Sequence, residues 1–124
     1  MNKQEGYSLL ELLIVLGIIM VLFTVALPNY NRMMNKAKVG RANIELHSLA
    51  LSLSEYQLDN GNYPTNLNQL TQGASPYIRV IPRDPWNNTY QIDVSNIVPV
   101  VKSFGADGQA GGSGFNSDIS VPLL

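Results

Sequence analysis

The 124-residue sequence contains no cysteine, a single histidine and few charged residues. The absence of cysteine excludes a disulfide framework, a thiolate zinc site and a cysteine-ligated iron–sulfur cluster. The single histidine, His47, argues against a histidine-rich metal site and against a Ser-His-Asp hydrolase. No nucleophile and base stand in a recognisable catalytic pattern. We therefore expect that the chain is not an enzyme.

Charge is scarce and nearly balanced. Charged residues make up 14% of the chain, whereas an average soluble domain has about 25%. Eight basic residues oppose nine acidic ones, for a net charge of −1. This balance argues against binding nucleic acid through bulk positive charge. The deficit is concentrated in residues 12–27, which carry no charge at all.

The uncharged segment favours a membrane-spanning helix. With residues 7–10 it approaches the roughly 30 Å thickness of a bilayer's hydrocarbon core. A cleavable secretory signal is an alternative, with Thr24-Val25-Ala26 as its cleavage site. It is disfavoured because Leu27-Pro28 is a poor start for a mature chain. A buried core helix is also disfavoured, because the remaining chain is too small to cover a helix that is apolar on every face.

One carboxylate, Glu11, interrupts the beginning of the apolar stretch. A charged group near hydrocarbon costs a few kcal/mol, about 3 on insertion scales, unless it is paired or reaches the interface. Glu11 therefore either extends to the lipid headgroups or pairs with a cation from another chain.

The helix is predicted to continue beyond the membrane. An apolar face recurs at spacings of 3, 4, 3, 4 and 3, as expected for a helix that covers a sheet: Val39, Ala42, Leu46, Leu49, Leu53 and Tyr56. A second apolar line, Ile44, Leu51 and Leu58, has a spacing of seven. It either touches neighbouring subunits or packs within the domain. Asn60-Gly61 is predicted to end the helix.

The C-terminal half contains short predicted strands. They cover residues 90–94, 97–102 and 119–123, with Ser95-Asn96 as a tight hairpin turn between the first two. Pro99 and Pro122 indicate edge positions or bulges. The fold class is therefore α+β: a long N-terminal helix whose second half packs on a small antiparallel sheet.

A glycine-rich segment, residues 103–118, contains five of the ten glycines. It lacks the Gly-Lys-Ser/Thr of a P-loop and the acidic spacing of an EF-hand. It does offer oxygen ligands from Asp107, Asn116 and Asp118, as calcium requires. Composition alone leaves two interpretations, a calcium site and a plain mobile loop.

The N-terminal residues Gly6-Tyr7-Ser8-Leu9-Leu10-Glu11, followed by the apolar run and Pro28, resemble the type IV pilin and pseudopilin family. The resemblance implies a leader, residues 1–6, that a prepilin peptidase removes between Gly6 and Tyr7, with N-methylation of Tyr7. It implies that Glu11 meets the N-terminal amine of a neighbouring subunit. Independently of the resemblance, Pro28 lacks an amide donor and should bend or locally melt the helix. Tyr7 departs from the usual Phe, and the leader carries Glu5 beside Lys3.

Further motifs resemble the major (G-type) pseudopilin of type II secretion. They are the segments 59–64, 84–86, 105–108 and 116–119. The resemblance implies a structural subunit that polymerises with itself into a pseudopilus, a short helical filament that drives protein export across the outer membrane. Minor pseudopilins and the inner-membrane secretion platform are the implied partners. The implied calcium ligands are Asp107, Asn116 and Asp118, with carbonyls near Phe104 and Gln109.

The implied location is a single pass of the inner membrane by residues 7–28, with residues 29–124 in the periplasm. The flanking charges favour the opposite orientation, because the bases after the apolar run outnumber those before it: Arg32, Lys36, Lys38 and Arg41. A subunit of a type IV pilus or of a DNA-uptake pilus is the alternative function. Pilins typically have a C-terminal loop bracketed by cysteines, and DNA uptake favours a basic patch, whereas residues 49–124 carry three bases and six acids.

Overall fold

The computed structural model describes residues 5–123, which form one long helix and a three-stranded sheet. Helix α1 spans Leu9–Asn60, and a short 3-10 helix follows at Leu67–Thr71. The strands are β1 (Gln91–Asp93), β2 (Val100–Ser103) and β3 (Ile119–Pro122), with a second 3-10 helix at Gly114–Asn116. The sheet order is β1-β2-β3, and both pairs are antiparallel. The predicted α+β class is confirmed.

The chain divides into two compact units, Met1–Asn35 and Lys36–Leu124. Within the first unit, every described residue up to Met34 is exposed. Helix α1 contains an 18-residue window of mean hydropathy 2.8, none of it buried, and is long and apolar enough to cross a membrane. Helix α1 runs through Pro28 without a break. Of the two effects predicted for this proline, the local melting is therefore absent from the structure, and the bend stays a prediction.

The core of the second unit lies between α1 and the sheet. The predicted apolar face of the helix is confirmed, since Ala42, Leu46, Leu49 and Leu53 are all buried. Of these, Leu46, Leu49 and Leu53 share one cluster with apolar side chains of the first 3-10 helix, of β2 and β3, and of residues next to the strands: Leu67, Leu70, Val101, Val121, Tyr90 and Leu123. The buried face of α1 therefore shares one core with Val101 of β2, the central strand.

The second predicted line on the helix lies outside this core. Ile44, Leu51 and Leu58 are 73%, 70% and 82% exposed. Of the two alternatives drawn from the sequence, packing within the domain is therefore wrong.

The predicted antiparallel hairpin of the first two strands is confirmed, but its tight two-residue turn at Ser95-Asn96 is wrong. Asp93 ends β1 and Val100 begins β2, so residues 94–99 form a longer connection than the expected two-residue turn. The cause is local: the Asp93 carboxylate accepts a hydrogen bond from the Ser95 amide at 3.1 Å, which turns the chain before the ladder extends. Pro99, which lacks an amide donor, lies just before the central strand, whereas Pro122 lies in β3, an edge strand.

Candidate functional site

The predicted processing site lies in non-helical chain. Residues 5–8 have no regular secondary structure and are all exposed, and Tyr7 is 84% exposed. The peptide bond between Gly6 and Tyr7 therefore stands free of the hydrogen bonding of α1, which begins at Leu9. Residues 1–4 of the predicted leader lie outside the described part of the chain.

Glu11 has a structural role that the sequence analysis missed. Its carboxylate Oε2 accepts a hydrogen bond from the Ser8 amide at 3.0 Å, and its own amide donates to Ser8 Oγ at 3.2 Å. This reciprocal pair is a capping box, which satisfies two amides at the beginning of a helix. The Ser-x-x-Glu spacing before an apolar run was the available signal. Glu11 forms no ion pair with any residue in the described range 5–123.

The glycine-rich loop is closed by backbone contacts between its two arms. The Ala106 amide donates to the Phe115 carbonyl at 2.9 Å. Gly105 has a φ of +74°, and a Cβ built there would lie 2.7 Å from the Ser117 carbonyl oxygen. Gly112, with a φ of +94°, approaches the Asn116 carbonyl oxygen in the same way, at 2.6 Å. Glycine is required at both positions by the backbone conformation and by this close approach.

The two predicted acidic ligands take part in loop hydrogen bonds and remain exposed. Asp107 Oδ1 accepts from the Gln109 amide at 3.1 Å. Both carboxylate oxygens of Asp118 lie 3.1 Å from the Gly111 amide nitrogen. The predicted ligand Asn116 is exposed as well, and its amide donates to the Ser113 carbonyl at 3.1 Å. Phe104 is half-buried, with the Lys102 ammonium 5.6 Å from its ring centroid.

This donor set fits calcium better than a transition metal. No group of three or more His, Cys, Asp or Glu side chains that could hold a metal is present among residues 5–123. A site in the loop would therefore combine the carboxylates of Asp107 and Asp118 with neutral oxygens. Calcium accepts six to eight such oxygens in flexible geometry, so backbone carbonyls of the loop and water would complete the shell.

Asp84, which the sequence identified only as part of the motif at residues 84–86, anchors the beginning of the loop. It is buried, at 3% exposed, and its Oδ1 accepts the Asn88 amide at 2.7 Å. Its Oδ2 accepts the hydroxyl of Ser103 at 2.8 Å, and Ser103 Oγ in turn accepts the Gly105 amide at 3.2 Å. The Asn88 side chain also donates to the Gly105 carbonyl at 3.3 Å. Asn87 adopts a φ of 67°, which asparagine tolerates better than most residues.

A second polar link joins the helix to the chain just before β1. The Tyr90 hydroxyl donates to Glu45, whose other oxygen receives the Arg41 guanidinium at 2.7 Å. Burial, followed by the hydrogen bond to the Glu45 carboxylate, raises the pKa of Tyr90 far above its ordinary value. Tyr90 therefore stays a neutral donor at any physiological pH.

These features define a class of protein: a chain with a long N-terminal helix, apolar in its first half, and a small antiparallel sheet on the helix's second half, as in pilins. Comparison with known proteins narrows the class. The family model for protein G of the type II secretion system matches residues 29–122, and the prokaryotic N-terminal methylation motif matches residues 1–27. The chain belongs to the type II secretion system protein G family.

Individual relatives agree with this assignment. The type II secretion system core protein G of Vibrio cholerae serotype O1 is 35% identical, with 96% of this chain and 92% of the relative covered. The corresponding protein of Pseudomonas aeruginosa is 31% identical, with 95% and 94% covered. The crystal structure of the major pseudopilin from enterohaemorrhagic Escherichia coli matches with a TM-score of 0.63 and 28% identity, over 75% of this chain and 93% of that one.

Proposed function

We propose that this chain is the major structural subunit of a type II secretion pseudopilus. The observation that carries the proposal is the surface of α1 over residues 12–27, which is uncharged and exposed around its whole circumference in a member of the protein G family. Such a surface is stable only in lipid or against other apolar helices. Subunits stored in the membrane would exchange lipid for each other as the filament forms, and its growth would drive substrates across the outer membrane.

The N-terminal segment is proposed to control entry into the filament. A prepilin peptidase would cut between Gly6 and Tyr7, and Tyr7 would then be N-methylated. The new ammonium group gives Glu11 of a neighbouring subunit a partner of opposite charge. Two such ions attract strongly where water is excluded, and each is costly alone. The pair would therefore fix the register between subunits.

The subunit would reside in the inner membrane as a single-pass protein with its C-terminal domain in the periplasm. Its filament partners would be further copies of itself and minor pseudopilins, and the inner-membrane secretion platform would assemble them. The proposal follows the family in this orientation, against the flanking bases at Arg32, Lys36, Lys38 and Arg41.

Calcium is proposed as a structural ligand of the glycine-rich loop. Asp107 and Asp118, with Asn116 and the carbonyls of Phe104 and Gln109, would hold the ion. The ion would supply positive charge between two carboxylates and would tie the two arms of the loop together. Because only the folded loop presents these oxygens together, calcium would stabilise the domain by linkage.

Gene deletion tests the proposal most directly. Cells without this chain should retain type II substrates in the periplasm, and the wild-type gene should restore export. Overproduction with the rest of the secretion system should give filaments that can be sheared from the cells. Normal export, combined with loss of surface motility or DNA uptake, would instead support the pilus alternative.

A further inference from the structure

Two apolar patches remain exposed on the second unit. Beyond Asn35, the described residues contain eight exposed large hydrophobic side chains, and six of them form two groups. The first group, called the helix stripe, consists of Ile44, Leu51 and Leu58 on α1. The second, called the loop tip, consists of Val94, Ile97 and Val98 between β1 and β2. The other two, Val80 and Phe115, stand alone.

The helix stripe is a regular surface directed away from the core. At 3.6 residues per turn, its three side chains point about 170° away from the buried face that holds Leu46 and Leu49, and they span roughly 21 Å along α1. The same seven-residue spacing continues toward the N-terminus of α1, where each position is again apolar and exposed: Leu9, Leu16, Phe23, Tyr30 and Ala37. The stripe thus follows, along the same helix, the exposed apolar segment through which the subunits are proposed to assemble.

The loop tip is an ordered projection. Ile97 is 103% exposed, so it contacts almost nothing in its own chain. The loop is nevertheless held at its base by Asp93, which accepts hydrogen bonds from the Ser95 amide and hydroxyl and from the Lys102 ammonium, the last at 3.3 Å. A loop that is fixed in place and carries its apolar side chains outward is prepared for a contact with little ordering cost.

We propose that the loop tip of one copy packs on the helix stripe of the next copy in the filament. A helical filament requires a heterologous interface, in which two different patches meet head to tail. The second unit offers two apolar groups of this kind. The inference rests on the proposed assembly into a pseudopilus and specifies which surfaces of the domain form the contact between neighbouring subunits.

The absence of cysteine makes a clean cross-linking test possible. The full chain is produced with the secretion system as Leu51→Cys, as Ile97→Cys and as the double variant, and filaments are treated with copper phenanthroline. Co-production of the two single variants should give a disulfide-linked dimer that neither gives alone. The double variant should give a ladder of multimers, because each copy is joined to two neighbours. Thr65→Cys, exposed and outside both patches, should give no dimer with Ile97→Cys.

A charge substitution provides an independent measurement. Ile97→Asp should lower filament yield about tenfold without changing the membrane level of the subunit, since Ile97 contacts so little of its own chain. Val80→Asp, at an isolated exposed position of 76% exposure, is the matched control and should leave the yield unchanged.

The outcomes separate the two proposals. Filaments that yield Leu51–Leu51 dimers, a cross-link to a different protein, or no cross-link at all would overturn the proposed contact while the pseudopilus function stands. Failure of the unmodified chain to form any filament would overturn both.

Discussion

Glu11, near the N-terminus, combines a structural role within its own helix with a proposed role between subunits. The Glu11 carboxylate caps the first turn of α1 through the Ser8 amide, and it is also the only charge between Tyr7 and Leu27. A carboxylate suits the positive end of a helix dipole, so capping lowers the cost of placing this charge beside hydrocarbon. The two roles use different properties of the side chain, namely an acceptor oxygen and a negative charge.

Substitutions at Ser8 and Glu11 separate these roles. Glu11→Gln retains an oxygen for the capping box but removes the charge, whereas Ser8→Ala retains the charge and loses half of the cap. We expect the Glu11→Gln and Glu11→Ala variants to insert into the membrane normally. Both should lower the filament yield by about a hundredfold, because each leaves an N-terminal ammonium group unpaired. Ser8→Ala should form filaments at close to the normal yield. Yields are compared by quantifying sheared filaments against the membrane pool.

Equal filament yields for Glu11→Gln and the wild-type chain would contradict charge pairing. If Glu11→Ala failed while Glu11→Gln assembled, the cap rather than the charge would be the essential property of this residue.

The calcium proposal is tested at Asp107 and Asp118. For a soluble fragment beginning at Arg32, calcium at about 100 times its Kd should add about 2.7 kcal/mol of stability. This corresponds to a rise in Tm of roughly 10 °C or more for a domain of this size. Asp107→Asn and Asp118→Asn should greatly reduce the rise. Asp93→Asn, which removes a carboxylate outside the glycine-rich loop, should leave the calcium-dependent rise in Tm unchanged. An unchanged Tm after EGTA treatment would remove the calcium proposal.

At the level of elements, the sequence predicted the helix far better than the strands. The buried face around Leu46 and Leu49 follows from periodicity, because a helix repeats its pattern over many residues. The strands are only three or four residues long, so one local hydrogen bond at Asp93 was enough to displace the start of β2. The anchoring of the loop by Asp84 joins residues 19 apart in sequence, at Ser103, and short-range patterns carry no signal for such a contact.

Two adjacent glycines test how the loop is packed. Gly111 and Gly112 both have positive φ, at 84° and 94°, but a Cβ on Gly112 would lie 2.6 Å from the Asn116 carbonyl oxygen, whereas one on Gly111 would meet nothing within 4 Å. Gly111→Ala should therefore cost only the backbone strain, about 1–2 kcal/mol. Gly112→Ala should cost about 1–3 kcal/mol more because of the clash. Urea unfolding of the soluble fragment measures both, and equal losses would show that Gly112 does not pack against the Asn116 carbonyl.

On the scale of the whole molecule, the low charge content belongs to one part of the chain. The first unit contains the uncharged residues 12–27, and the second unit, Lys36–Leu124, has its own core of nine buried residues. The surface of the first unit needs lipid or other subunits, whereas the second unit folds around its own apolar residues. This division suits a subunit that moves between a membrane and a filament, because its folded domain need not change when its surroundings do.

Orientation in the membrane is the property on which the whole-molecule proposal depends most. The bases after the apolar run would retain the domain in the cytoplasm by the positive-inside rule, whereas a pseudopilus requires the domain in the periplasm. We expect proteinase K to digest the domain in spheroplasts and to spare a cytoplasmic marker protein, with digestion of both after lysis. The double variant Lys36→Gln, Lys38→Gln should give the same digestion pattern, if the orientation is set as in the family and not by the flanking basic residues. A domain protected in spheroplasts and digested only after lysis would mean that the charges set the topology, and a periplasmic filament of this chain would then be excluded.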